Sequence, residues 1–359
     1  MEISETNSKR ITSLRFPLML LVMIKHNAIV KGLFMHEFPF VEPRAVTFIK
    51  EFLANGLGEL AVPVFFMFSA YLLASSEDSY ITKVKKRFRS LLLPYTIWTV
   101  FYFGLWLILK KTNILTGFEN PVMDWNEWTF HDYVMRFLGY FHGMRFPFVG
   151  SFWFLRDLMV LVIFSPAFLF LTRKFPFCTI ATIFLAFVFY LPLPLLMRQS
   201  LFYFEVGLVF AVYKVDFFAI SDKIRWADLL IAFTAGFLIF FYASDYKPDG
   251  ASRETFPFFL YLFSGITLLF KFSKVISENE KSFAFVKKLA PLTFFVYAVH
   301  APVLSEFIKK LTLMIGLPSL LQFLLSCTLN IGLSLLFAII FRKHFPLVFA
   351  FVSGGKRDK

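Results

Sequence analysis

Two ionisable side chains, Arg15 and His26, stand in an Arg-x10-His spacing within the first strongly apolar stretch, Leu14 to Leu33. An ionisable group inside an apolar helix is costly at bilayer depth and is by default a functional candidate. Residues i and i+11 lie about three helical turns apart, roughly 16 Å at about 1.5 Å per residue, on nearly the same face. That spacing forbids direct contact and suits two stations along one path. Imidazole titrates near neutral pH and can take a proton from a hydroxyl. Guanidinium stays charged and binds anions in bidentate fashion. The plainer alternatives are a structural histidine bonded across a bundle and an arginine snorkelling to the interface. Because lipid is a poor neighbour for either group, the Arg15–His26 face is expected to line one inward cavity.

Other costly residues are candidates to converge on that face: Arg156 and Asp157, Glu205, and His300 beside Pro302. Arg156 and Asp157 are adjacent in sequence, so on a helix they point about 100° apart and need not pair with each other. Asp157 can instead meet a cation of a neighbouring helix, with Arg15 or His26 as possible partners. Glu205 can orient an imidazole or stay a protonated packing residue. His300 is open between catalysis or acceptor contact and helix packing. Trp153, Tyr203 and Tyr297 can form a stacking platform for a sugar, although aromatic belts are ordinary in membrane proteins. The basic run Lys83 to Arg89 is sufficiently explained as a topology signal. There is no Gly-x-Ser-x-Gly, His-Glu-x-x-His, Walker-type or dinucleotide glycine loop.

The elements that must position these residues are membrane helices. The chain is 58% hydrophobic and 17% charged, with mean hydropathy +0.68, whereas soluble domains are about 25% charged. Ten segments approach the roughly 20 apolar residues needed to span: 12–33, 57–76, 90–110, 151–171, 176–195, 200–214, 227–244, 255–271, 290–309 and 317–341. The expected fold class is therefore all-α, a polytopic membrane protein with about ten transmembrane helices. One membrane-embedded domain is expected over 1–359, with its core at 11–342. The N-terminal MEISETNSKR lacks a cleaved-signal pattern, so the first apolar segment is expected to be retained. The connection from Lys111 to Gly150, rich in aromatics (Trp125, Trp128, Phe130, Tyr133, Tyr140, Phe141, His142), is expected to pack over the helices. Of 37 Lys and Arg, 22 fall on the side bearing both termini and 11 on the other, which orients both termini to the cytoplasm. The net charge of +13 is then a loop effect, and no nucleic acid partner is expected. Cys178 and Cys327 lie in apolar segments and indicate neither a disulfide nor a metal site.

Five runs in order carry a family resemblance. RITSLRFPLMLLVMIKHNAIV resembles the first helix of the acyltransferase-3 family of integral membrane acyltransferases, with its Arg-x10-His. VPVFFMFSAYLL resembles the family's second helix, with Ala70 in place of a glycine. KKRFRSLLLPY is similar to its basic stretch before a Leu-Pro helix start, GSFWFLRDLMVLVIFSP to its Trp-Phe-Leu segment, and TFFVYAVHAPVL to its Tyr-Leu-x-His-x-Pro run. The family's Arg-x-x-Arg is altered here: aligned on the proline, Arg87 matches, the second arginine falls on Ser90, and Arg89 is one position early.

The resemblance implies a carbohydrate O-acyltransferase of the bacterial cytoplasmic membrane. It would move an acyl group, expected to be acetyl, from cytoplasmic acyl-CoA to a hydroxyl of a cell-envelope carbohydrate or glycolipid. It implies His26 and Arg15 as the catalytic residues, His26 as base and Arg15 binding the acyl donor or orienting the site, with Arg87 and Arg89 sharing the CoA phosphates. Acyl-CoA is a donor substrate, and no permanently bound cofactor is expected. The alternative from another class is an exporter of a glycan or lipid-linked oligosaccharide, for which Arg156, Asp157 and Glu205 would furnish a polar path.

Overall fold

The computed structural model describes residues 3–28, 43–111, 128–140, 146–189, 191, 193, 196–243 and 256–355. Among these, every regular element is helical. In chain order they are α1 (Glu5–Ala28), α2 (Arg44–Glu51), α3 (Ala61–Ser75), α4 (Tyr80–Arg87), α5 (Leu93–Lys111) and α6 (Phe130–Leu138). Next come α7 (Trp153–Lys174), α8 (Pro176–Val188), α9 (Arg198–Val212), α10 (Phe217–Lys223), α11 (Trp226–Ala243) and α12 (Phe256–Glu278). The chain closes with α13 (Glu280–Leu289), α14 (Thr293–Val299), α15 (Ser305–Met314), α16 (Ser319–His344) and α17 (Pro346–Val352).

Among the described residues, seven helical stretches are long and apolar enough to cross a membrane: 44–75, 80–108, 150–174, 226–243, 256–278, 280–314 and 319–344. In the other three expected spans the described helices, α1, α8 and α9, fall short of that length and apolarity. In α1 the apolar run is diluted by Arg15, Lys25 and His26; α8 has 13 residues and α9 has 15, against the roughly 20 a span requires. Ten crossings are therefore an expectation that the helix lengths do not establish.

Several helices are interrupted where proline withholds a donor. The basic stretch before Pro94, expected as a loop, is instead helical: a π-turn at Phe88–Leu92 joins α4 to α5. Widening the turn there accommodates a residue with no N–H to give. In α7, Pro166 leaves the carbonyl of Val162 without its helical donor, and the Ser165 hydroxyl donates to it at 2.8 Å. Between α14 and α15 the backbone is extended at Ala301 (φ −144°, ψ 153°) just before Pro302. The Ala298 carbonyl, which residue 302 would have served in a continuous helix, accepts from the Tyr102 hydroxyl at 2.9 Å.

Packing is aromatic and close. Helix α9 lies against α3 at Gly207, where a Cβ would sit 2.3 Å from the Met67 carbonyl and 2.9 Å from the Ala70 Cβ. Small residues that admit such approach are a usual device for membrane helix pairs. Of the long connection, α6 and its flanks are described, with Tyr140 under Arg156 at 5.0 Å. Trp125, Phe141 and His142 lie outside the described residues.

Helix α1 is pinned near its start. Buried Arg10 donates to both Asp222 oxygens (2.8 and 3.0 Å), the Ser273 hydroxyl (3.0 Å) and the Phe270 carbonyl (2.6 Å), and lies over the Phe218 ring. Burial raises the Asp222 carboxyl, but Arg10, Lys274 and Lys271 outweigh it and hold it below its ordinary value. The carboxylate's contribution to stability is thus fully present above the unfolded value, about pH 3.9, and is lost as pH falls through the lowered folded value. Arg10→Ala is expected to cost about 2 kcal/mol near neutral pH, less than a fully buried pair because Asp222 is partly exposed. It should also flatten this acid dependence. Thermal melting of the detergent-solubilised protein across pH checks both.

Candidate active site

Helix α1 presents Ile11, Arg15, Met19, Val22 and His26 to one cavity of about 380 Å³. This is the face that the spacing of Arg15 and His26 defined. Helix α3 supplies Val62, Phe65, Ser69 and Leu72, and α7 with the turn before it supplies Ser151, Trp153, Phe154 and Leu158. The segment from Ala290 through α14 adds Thr293, Phe294 and Tyr297. Arg87 enters from the end of α4, close enough to Arg15 for the two guanidinium groups to repel. Trp98 Nε1 donates to the Val352 carbonyl at 3.0 Å, and Ser353, the next residue, closes part of the wall.

The cavity is chemically graded. Arg15 and Arg87 mark one end, and neither makes an ion pair or hydrogen bond among the described residues. Three hydroxyls on its wall, those of Ser151, Thr293 and Ser353, are buried without a hydrogen-bond partner among the described residues. About three turns along α1 from Arg15, His26 meets His300 edge-on, ring centroids 5.2 Å apart at 61°. His300 is fully buried, and its Nδ1 lies 2.7 Å from the Tyr297 carbonyl. The Tyr297 hydroxyl in turn donates to the Ser151 carbonyl. His26 is therefore backed by an imidazole fixed at the break between α14 and α15.

Some expected site residues lie elsewhere. Arg87 lines the cavity and Arg89 does not; Arg89 is exposed. Across a helical turn residues 87 and 91 share a face, and Leu91 is indeed in the wall, while residue 89 projects to the other side. Arg156 and Asp157, expected not to need each other, are paired: Arg156 Nε and Nη2 both donate to Asp157 Oδ1, at 2.9 and 2.7 Å. The flexible guanidinium curls back to its neighbour in sequence. Arg156 Nη1 also donates to the Leu138 and Gly139 carbonyls (3.3 and 3.2 Å). Asp157 Oδ2 accepts from the Met197 amide (2.9 Å) and the Ser200 hydroxyl (2.6 Å). Neither residue meets Arg15 or His26. Gly139 has φ 79°, and a Cβ there would sit 2.4 Å from Arg156 Nη1, so only glycine suits that turn.

Glu205 is also away from the cavity, accepting from the Thr172 hydroxyl at 2.6 Å between α9 and α7. Tyr203 sits among Phe187 and Phe202, so of the proposed aromatic platform only Trp153 and Tyr297 face the cavity. His300 supports His26 from behind rather than lining the wall. Sequence reasoning missed Glu59, which pairs with Lys25 beside His26. An acid at the head of an expected span was the available signal. It also missed Tyr102, for which no signal existed without the helix break.

A family model described as an acyltransferase domain matches residues 9–339. The chain belongs to the acyltransferase-3 family. With its apolar helices, it is a multi-pass membrane acyltransferase. No curated protein and no solved structure matches it.

The acyltransferase's Arg156–Asp157 cluster joins α6, α7 and α9 and should behave as a structural knot. Asp157→Asn keeps the shape but removes the buried counter-charge, at an expected cost of about 3–5 kcal/mol. Thermal melting in detergent should show that loss even without substrate. An unchanged melting temperature together with lost turnover would instead make Asp157 a site residue.

Proposed function

We propose that the protein is an O-acetyltransferase that takes the acetyl group from cytoplasmic acetyl-CoA and gives it to a hydroxyl of a cell-envelope carbohydrate or glycolipid. The proposed setting is the bacterial cytoplasmic membrane, with both termini in the cytoplasm. The observation that carries this reading is the pair Arg15 and Arg87, two cations without a counter-ion among the described residues, facing one cavity that His26 also lines. Uncompensated charge in apolar surroundings is costly, and an anionic ligand relieves it. CoA offers phosphates to the guanidinium end and a thin arm for the apolar slot. The free hydroxyls of Ser151, Thr293 and Ser353 are suited to that arm's amides.

At the far end the acceptor hydroxyl oxygen attacks the thioester carbonyl carbon while His26 takes its proton. The tetrahedral intermediate collapses, the C–S bond breaks, and the imidazolium returns the proton to the departing thiolate. Products are the ester and CoA thiol, with His26 restored. The acceptor's class rests on the family resemblance and on Trp153 and Tyr297 in the wall.

The exporter alternative relied on a polar path through Arg156, Asp157 and Glu205. These side chains are tied into helix–helix contacts outside the cavity, so no observation favours it.

His26→Ala is expected to reduce transfer of labelled acetyl from acetyl-CoA in membranes by about 10²–10⁴-fold, with insertion unchanged. Retention of more than about a tenth of wild-type turnover would end the general-base role. For the donor site, Arg87→Ala should raise the apparent KM for acetyl-CoA about tenfold, on the scale of one lost charge-assisted contact, while Arg89→Ala changes it little. Equal effects of the two substitutions would overturn the assignment of the phosphates to the cavity.

A further inference from the structure

A second concavity lies outside the active-site cavity and shares no lining residue with it. It is a groove of about 510 Å³ between the end of α3, the start of α4 and the last turns of α7. Its walls are apolar, formed chiefly by Leu73, Leu169 and Phe170, and its rim carries Lys83, Arg173 and Lys174. The Tyr80 hydroxyl closes one side by donating to the Ile163 carbonyl at 2.7 Å, next to the Pro166 irregularity.

The placement of this groove identifies its surroundings. Arg173 and Lys174 end the apolar stretch 150–174, so the groove straddles the level at which hydrocarbon gives way to water. The outward face of α7 exposes Ile163, Phe164 and Phe170 at 52%, 49% and 57%, which only lipid would cover favourably.

The charged residues lining the groove are all basic. Lys83, Arg173 and Lys174 make no ion pair among the described residues. Lys83 feels the attraction of Asp78 and, more weakly, the repulsion of Arg173, but the Asp78 carboxylate is itself bonded to Lys86 at 2.5 Å and does not line the groove. A topology signal needs only basic residues near a span; it does not require three of them around an apolar slot.

We propose that this groove binds an anionic phospholipid, its phosphate held by Lys83, Arg173 and Lys174 and one acyl chain lying along Leu73, Leu169 and Phe170. Basic pockets between membrane helices at this depth suit such headgroups. The apolar, outward-facing walls suit an acyl chain and not the polar arm of CoA.

The test uses the full-length protein in detergent, titrated with phosphatidylglycerol or phosphatidylcholine and read by native mass spectrometry. Wild-type protein should bind phosphatidylglycerol preferentially. The K83Q/R173Q/K174Q variant should bind it about 100-fold more weakly, at roughly fivefold per juxtamembrane cation, with the KM for acetyl-CoA unchanged. Equal affinity of wild type for the two lipids would overturn the proposal. So would a variant that keeps its phosphatidylglycerol affinity but shows a raised KM for acetyl-CoA. Should the triple variant fail to insert, L169W keeps the charges and fills the slot. Weaker phosphatidylglycerol binding by it supports the site, and unchanged binding overturns it.

Discussion

The arrangement of the molecule depends on how α1 is held in apolar surroundings. At its start Arg10 is saturated by Asp222, Ser273 and the Phe270 carbonyl, and near its end Lys25 is paired with Glu59. Two charged contacts, about four turns apart at roughly 3.6 residues per turn, fix the helix against rotation. The face carrying Arg15, Met19, Val22 and His26 is thereby held inward. Rotating α1 to bring Arg15 toward lipid would break both contacts and expose a guanidinium to hydrocarbon.

Against that background, the exceptions stand out by their energetics. Arg10, Arg156 and Lys271 each have acceptors around them, Lys271 using the Ser221 and Asp222 carbonyls. Arg15 and Arg87 have none among the described residues, and they repel each other. The fold thus surrounds Arg10, Arg156 and Lys271 with acceptors and leaves Arg15 and Arg87 unpaired among the described residues at one cavity, which is the ground for proposing that an anionic donor enters there.

Interruptions in the helices give the site its second level of order. Proline withholds an N–H, and at Pro166 and Pro302 a hydroxyl serves the carbonyl left behind: Ser165 for Val162, Tyr102 for Ala298. The break at Ala301 turns His300 from an ordinary helix position into the residue packed against His26. Satisfying the freed carbonyl from α5 couples the orientation of His300 to a helix distant in sequence. A polar group unserved in this setting would cost about 1–3 kcal/mol, so the break and its hydroxyl stand together.

Much of this protein was determined by sequence alone. Composition and segment length required an all-helical membrane protein, since only internally satisfied backbone is stable in hydrocarbon. The Arg-x10-His spacing fixed a shared face, because helical periodicity is local, and the ordered motifs pointed to the acyltransferase-3 family. What sequence could not decide was which charges meet. Arg156 and Asp157 looked like separate candidates, yet the guanidinium's length and flexibility let adjacent residues pair while α6 and α9 supplied further partners. Arg87 and Arg89 looked equivalent, and the course of the helix through a π-turn separated them. Glu205 is engaged by Thr172 of α7, and Tyr203 packs on Phe187 of α8. Apart from Arg156, the partners of Asp157 and Glu205 lie 33 to 43 residues away in sequence, and such pairings follow from how the helices pack, which no local pattern encodes.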